Sequence, residues 1–221
     1  MRHQFMRVAG NVAIQPSLLL HMNGNEGSTT FADTSGHNIS VTGFGDAKVT
    51  NANPKFGNGA LKLTNGGYLM SAASSLLQLG SVNFTVECWV YLQDGSNANN
   101  GLFSFGSNAQ NTGDLFVSTY GGSWYIGAEG GGGDAAGTSI VGSWQHVAVA
   151  RSGGAIRLYI NGILGKSISS ISLSSNFVGI GYYYAPQYSL RNALIDDFRV
   201  IKGTALYTAN FTPPTAPFPD F

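Results

Sequence analysis

The chain of 221 residues carries 11 basic and 11 acidic side chains, so its formal net charge is zero, and only 10% of its positions are charged. The few Lys and Arg are scattered rather than striped along any segment, which excludes the electrostatic footprint that nucleic acid or an anionic membrane surface requires. Cys88 is the only cysteine, which excludes an intrachain disulfide and a cysteine-based zinc site, and no continuous apolar run reaches the length of a secretion signal or a membrane span.

Glycine numbers 31 and the remainder is rich in Ser, Thr and Asn, a turn-heavy composition that predicts many short strands and one all-β domain. Residues 1–16 read as an N-terminal arm without periodicity, expected to dock on its own sandwich or on a neighbouring chain. Strands are predicted over 17–22, 39–44, 60–63 and 68–70, each cut off by Gly or Asn. Residues 84–93 alternate without a break. Phe84, Val86, Cys88, Val90 and Leu92 share one face, while Thr85, Glu87, Trp89, Tyr91 and Gln93 share the other, so Cys88 is expected to be a buried thiol.

Strands follow over 102–105, 115–119 and 124–128, then a loop over 129–134 whose four glycines match no phosphate-binding pattern. Residues 144–151 alternate again, and 155–160 turns through Asn161-Gly162 into 163–168, a type I′ hairpin signal. A strand over 177–181 leads into a tyrosine-rich segment at 182–188. The last strand, 194–200, carries adjacent Asp196 and Asp197 and runs into a proline-punctuated tail. The expected organisation is an arm over 1–16, a sandwich over 17–212 and a tail over 213–221. A dozen or so short strands without an internal repeat imply two stacked antiparallel sheets.

Three stretches, Gly142-Ser-Trp-Gln-His-Val-Ala-Val-Ala-Arg151, Leu158-Tyr-Ile-Asn-Gly162 and Ala193-Leu-Ile-Asp-Asp-Phe-Arg-Val200, resemble the laminin G-like family of concanavalin A-like lectin/glucanase jelly rolls. Phe84-Thr-Val-Glu-Cys-Trp-Val90 and Lys55-Phe-Gly-Asn-Gly-Ala-Leu61 extend the match over residues 17–212. The closing run from Arg199 to Phe218 is similar to the subgroup found on tailed-phage virions. The resemblance implies a two-sheet antiparallel jelly-roll sandwich at the virion surface, in a capsid decoration or small tail-associated protein. Its partners would be other virion proteins, in a homo-oligomer such as a trimer. It also implies one structural calcium, held by Asp196 with Asp33 and backbone carbonyls of residues 23–38. The segment Asn65-Gly-Gly-Tyr68, where many members place an Asp before the Tyr, weakens any second calcium site.

Hydrolases of this fold need two carboxylates about 5 Å apart. Glu26, Glu87 and Glu129 are far apart in sequence, and Asp196 and Asp197, as neighbours on a strand, are expected to point to opposite faces. No enzyme is expected. Read in register with Leu194, Phe198 and Val200, Asp196 faces inward. A buried carboxylate there costs several kcal/mol unless a metal, backbone N–H groups or an Arg such as Arg199 satisfies it. His21, His37 and His146 lack zinc spacing, and His146 is expected to be a packed, hydrogen-bonded residue. Trp124, Tyr182, Tyr183, Tyr184 and Tyr188, with Trp89, form an aromatic set suited to a protein partner or a host glycan, part of it filling the sandwich instead. The reading is a non-enzymatic virion protein displaying a lectin-like jelly roll, with a glycan-binding adhesin recognising host surface polysaccharide as the alternative.

Overall fold

The computed structural model describes residues 7–8, 12–95, 100–106, 113–128, 133–183 and 185–221. A short arm hairpin pairs β1 (Arg7–Val8) with β2 (Val12–Ala13). The sandwich strands follow as β3 (Leu18–Leu20), β4 (Val41–Phe44), β5 (Lys48–Thr50), β6 (Ala60–Leu63), β7 (Tyr68–Ser71), β8 (Phe84–Leu92), β9 (Asn100–Gly106) and β10 (Gly113–Tyr120). The second half adds β11 (Ser123–Gly127), β12 (Asp134–Thr138), β13 (Trp144–Ser152), β14 (Ala155–Ile160), β15 (Ile163–Ser169), β16 (Gly179–Ile180) and β17 (Ala193–Lys202). A seven-stranded sheet runs β12-β11-β10-β9-β16-β7-β4. An eight-stranded sheet runs β15-β14-β13-β8-β17-β6-β5, with β3 also paired to β17. This is an all-β antiparallel jelly-roll sandwich.

The alternation of β8 sets the layers. Phe84, Val86, Cys88, Val90 and Leu92 enter the common core with Leu18 and Leu20 of β3 and Val147 and Val149 of β13. From the facing sheet come Leu69, Phe103, Leu115, Val117, Trp124 and Ile126. Phe103 meets Phe198 edge-on across the layers, with centroids 5.9 Å apart. The β14–β15 hairpin turns at Asn161 and Gly162 with φ of 50° and 79°, the positive pair that a type I′ turn requires. Two sandwich strands escaped the sequence pattern: β5 is short, and β12 (Asp-Ala-Ala-Gly-Thr) lacks the β-branched and aromatic residues that mark a strand.

The outer face of the eight-stranded sheet is rich in ionisable groups and is covered by the chain's own end. Residues 203–221 form a strap across it, fixed by Thr85 Oγ1 donating to the Thr204 carbonyl (3.0 Å) and by Phe211 N–H donating to the Gly162 carbonyl (2.9 Å). Beneath the strap, fully buried Glu87 accepts from Arg199 Nε (2.7 Å) and from Tyr207 Oη (2.8 Å), and lies 3.0 Å from His146 Nε2. Burial pushes the Glu87 carboxyl up, but Arg199, His146 and Tyr207 outweigh it and hold it at about 2. Removing one partner from such a buried pair costs about 3–5 kcal/mol. The tail at 213–221, expected as a separate segment, belongs to this strap: Phe218 is buried on the Arg199 guanidinium (3.6 Å), and Phe221 N–H donates to the Thr34 carbonyl (3.3 Å). The strap ends beside the root of the arm. Gln15 Nε2 donates to the Ser35 carbonyl (2.8 Å), and a methyl group added at Gly36 would lie 3.2 Å from that nitrogen and 3.3 Å from the Phe221 carbonyl oxygen.

The last strand departs from simple alternation. Asp196 pairs with Trp89 and Arg199 with Glu87, so Asp197 and Phe198 together oppose Cys88 in a β-bulge, and Asp197 takes φ 52°. The inward set is therefore Ala193, Ile195, Phe198 and Val200. Asp196 does not share the core face with Phe198 and Val200 as the unbroken alternation predicts, and both aspartates serve the strap side of the sheet. Asp196 Oδ2 accepts from the N–H groups of Lys55 (2.8 Å) and Phe56 (3.0 Å). Asp197 accepts from Phe218 N–H (2.8 Å) and lies 2.5 Å from His21 Nδ1, whose Nε2 is 3.0 Å from Asp220. Burial pulls the His21 imidazolium down, but Asp197 and Asp220 outweigh it and raise its pKa.

Burial pushes the Asp196 carboxyl from its ordinary 3.8 up to about 7, against the pull of the Phe56 and Lys55 N–H groups. A carboxyl that holds its proton longer in the folded state contributes stability that is complete below its unfolded value and is lost as pH rises through the folded one. Unfolding free energy measured by denaturant titration is therefore expected to fall between about pH 4 and 7, and Asp196→Asn to flatten that fall. An unchanged slope in the variant assigns the pH dependence to other groups.

Candidate functional site

The outer face of the seven-stranded sheet carries aromatic side chains, and the segment after β16 lies on it. Because Leu69 points inward, Tyr68 stands on the outer side of β7, and Phe44, 42% exposed at the end of β4, stacks on it with centroids 4.9 Å apart and planes 11° from parallel. Tyr68 meets Tyr182 at 4.7 Å. Beyond it, Tyr183 packs on Phe116 of β10 at 4.2 Å and edge-on against Tyr188 at 6.4 Å. Tyr120 and Tyr125 form a further pair on β10 and β11, with centroids 6.1 Å apart. Rings standing on neighbouring strands meet at this spacing because strands lie about 4.8 Å apart.

The segment after β16 is held down onto the sheet. Ser104 Oγ donates to the Tyr183 carbonyl (2.5 Å), and the short 3₁₀ turn Pro186–Tyr188 brings Tyr188 back beside Tyr183. One glycine makes room for this segment and another for the Phe116 ring beneath Tyr183. A Cβ at Gly101 would lie 2.4 Å from the backbone of Tyr182, and one at Gly127 would lie 2.2 Å from the Phe116 ring. Burial raises the phenol pKa of Tyr182 and Tyr183, so both remain neutral hydrogen-bonding groups.

Of the predicted contact residues, Tyr182, Tyr183 and Tyr188 come together on this face, half-buried; Tyr184 lies outside the described residues. Trp124 is a correction. Its side chain is fully buried in the core and its Nε1 donates to Gln145 Oε1 (3.2 Å), because it alternates with Tyr125 and shares the inner face with Ile126. Trp89 lies on the strap side under Lys55, whose ammonium sits 3.8 Å from its ring centre. Phe44, Tyr68, Phe116, Tyr120 and Tyr125 escaped the sequence reading. Glycines interrupting β9 and β11 were the available signal, since a strand glycine marks the close approach of another group.

The residues expected to hold calcium are occupied differently. Asp33 Oδ1 accepts from the N–H groups of Leu19 (3.1 Å) and Ser35 (2.9 Å), and Oδ2 from Ile39 (2.8 Å). Asp196 serves Lys55 and Phe56. Backbone N–H groups present positive dipoles where a cation would sit, and among the described residues no group of three or more His, Cys, Asp or Glu side chains is gathered for a metal. The residues present do not fit a calcium site built on this pair.

No curated protein matches the chain in sequence. Among solved structures, the binding domain of botulinum neurotoxin serotype D/C (VPI 5993) superposes with a TM-score of 0.65 at 18% identity, over 87% of this chain and 50% of that one. The serotype G binding domain gives 0.65 at 20% identity, over 87% and 48%. A Trypanosoma rangeli sialidase gives 0.64 at 14% identity, over 86% and 30%. The chain thus spans about half the length of the toxin domains and less than a third of the sialidase, and at these identities the likeness concerns the fold alone. A family model described as the concanavalin A-like lectin/glucanases superfamily matches residues 63–207, the span from β6 through every later strand to the strap residue Tyr207. The chain belongs to the concanavalin A-like lectin/glucanase superfamily.

Proposed function

We propose that this chain is a non-enzymatic binding module that recognises host-surface glycan through the outer face of the seven-stranded sheet. The aromatic row from Phe44 through Tyr68 and Tyr182 to Tyr183 and Phe116 carries the reading. The half-buried phenol rings of Tyr68, Tyr182 and Tyr183, beside exposed Phe44 and buried Phe116, suit a ligand that is apolar on its C–H faces and hydroxylated at its edges. Two similar structures point the same way: botulinum neurotoxin type C, whose cell entry depends on two ganglioside molecules, and a D/C binding domain in complex with SialylT. A further D/C domain was solved with rat synaptotagmin II, a protein ligand. Against hydrolysis stand Glu87, Asp196 and Asp197, all fully buried and engaged by partners.

A second reading places the module on a virion, as a capsid decoration or small tail-associated protein in a homo-oligomer. The similarity of the run from Arg199 to Phe218 to phage virion proteins supports it. That run is folded onto its own sheet, so attachment falls to the arm or the sandwich surface, and among the described residues the β1–β2 hairpin pairs with no sandwich strand. The early loops, in this account, are fastened by hydrogen bonds to Asp33 and Asp196 rather than by calcium.

On a glycan array, binding is expected and should weaken at least about tenfold in Tyr183→Ala and in the exposed Phe44→Ala, with thermal midpoints near that of the parent. A blank array would sink the glycan reading. Removing residues 1–13 should abolish co-sedimentation with phage particles while leaving the midpoint unchanged; retained co-sedimentation rules the arm out as the attachment. The midpoint is expected to be the same in millimolar calcium and in chelator, and a rise of several degrees with calcium would overturn the metal-free account.

A further inference from the structure

On the opposite side of the molecule from the aromatic row, the loops after β3 and before β6 and the end of the strap enclose a cleft of ≈ 380 Å³. Three polar side chains line it: His21, Asn23 and Asp220. Its apolar walls are Phe56 from one side and Pro217 and Pro219 from the other.

The two walls, His21 and Asp220 are all held from the bulge in β17. Asp196 fixes the Phe56 wall through the N–H groups of Lys55 and Phe56. Asp197 fixes the strap wall through Phe218 N–H and fixes His21 through Nδ1. His21 then holds Asp220 at 3.0 Å. A cleft whose walls are pinned from one point is organised before any ligand arrives, so little ordering cost falls on binding.

The titratable groups at the cleft are already engaged with one another: the His21 ring lies between Asp197 and Asp220. An ionic ligand would have to compete with these pairs, which favours an uncharged one. What remains for a ligand is planar and polar. Asp220 uses Oδ1 on His21 and is 72% exposed, leaving Oδ2 as an acceptor. Asn23 uses Oδ1 on Asn58 N–H (2.9 Å), leaving its amide N–H₂ as a donor. A planar acceptor and a planar donor facing proline rings and a phenyl ring complement a small ring that is hydroxylated at its edge and apolar on its face. The volume is at the small end for ligand sites.

We propose that this cleft is a second saccharide site, independent of the aromatic row, which takes one neutral sugar ring with its hydroxyls on Asp220 and Asn23 and its C–H face on Phe56 and the prolines. A module with ligand sites on opposite faces would bridge two glycans.

The test is a two-dimensional amide NMR titration of the full chain with methyl hexosides and N-acetylhexosamines. Saturable shifts are expected at Asn23, Gly57 and Asp220, and they should persist in Tyr183→Ala, which separates this site from the aromatic row. Asp220→Ala should weaken the response about tenfold. Because that change also frees the end of the strap, Pro217→Trp serves as a second variant, filling the cleft from an exposed position without touching the His21 pairs. It should abolish the shifts at an unchanged thermal midpoint. The proposal is overturned if these amides respond to no neutral sugar, if both variants bind as the parent does, or if only a charged probe such as lysine methyl ester shifts them.

Discussion

The arrangement of the eight-stranded sheet depends on one extra residue in β17, where Asp197 takes a left-handed backbone conformation and shifts the register against β8. Continued alternation from Ile195 would send Arg199 into the core and turn Phe198 and Val200 outward. The bulge reverses this. Phe198 meets Phe103 between the sheets, and Arg199 meets Glu87 on the outer face. Bulges re-aim side chains in this way, and here the re-aiming also supplies the carboxylates that hold the loop at Lys55, the His21 ring and the strap at Phe218.

The two outer faces solve the problem of solvent differently. On the eight-stranded sheet the strap excludes water from Glu87, Arg199 and His146, so their mutual pairing is strong and each partner becomes necessary to the others. On the seven-stranded sheet the rings run from buried Phe116 through half-buried Tyr68, Tyr182 and Tyr183 to exposed Phe44 and Tyr120, and a cluster of large aromatic groups that reaches solvent is the kind of surface that marks an interaction site. Covering the charges and exposing the rings is the inverse of what solubility alone would choose.

Much of this was legible in the sequence. The alternation of 84–93 gave both faces of β8, Asn161-Gly162 gave the hairpin, and the motif at 142–151 led to the family. The bulge was harder. Leu-Ile-Asp-Asp-Phe-Arg-Val can be read as unbroken alternation, and only the three-residue step from Ile195 to Phe198 hints that the period slips. An Asp pair fits the bulge because Asp tolerates positive φ better than most residues. Trp124 was misplaced for a different reason: its aromatic character outweighed its alternation with Tyr125, although Ile126 two residues on already marked the inner face. The aromatic row could not be assembled in advance, since its members lie on β4, β7, β10 and the loop after β16, and only the strand order makes them neighbours.

The contact of Gln15 and Phe221 with the same glycine, Gly36, has a consequence for how the module is wired. Chain enters and leaves the sandwich at one point, so whatever is joined at either side departs from a single pole. The domain then behaves as a bead that can be hung on a partner, or spliced into a surface loop, without stretching the host. The row of rings stays clear of that joint, whereas the cleft adjoins it, since its lining residue Asp220 immediately precedes Phe221.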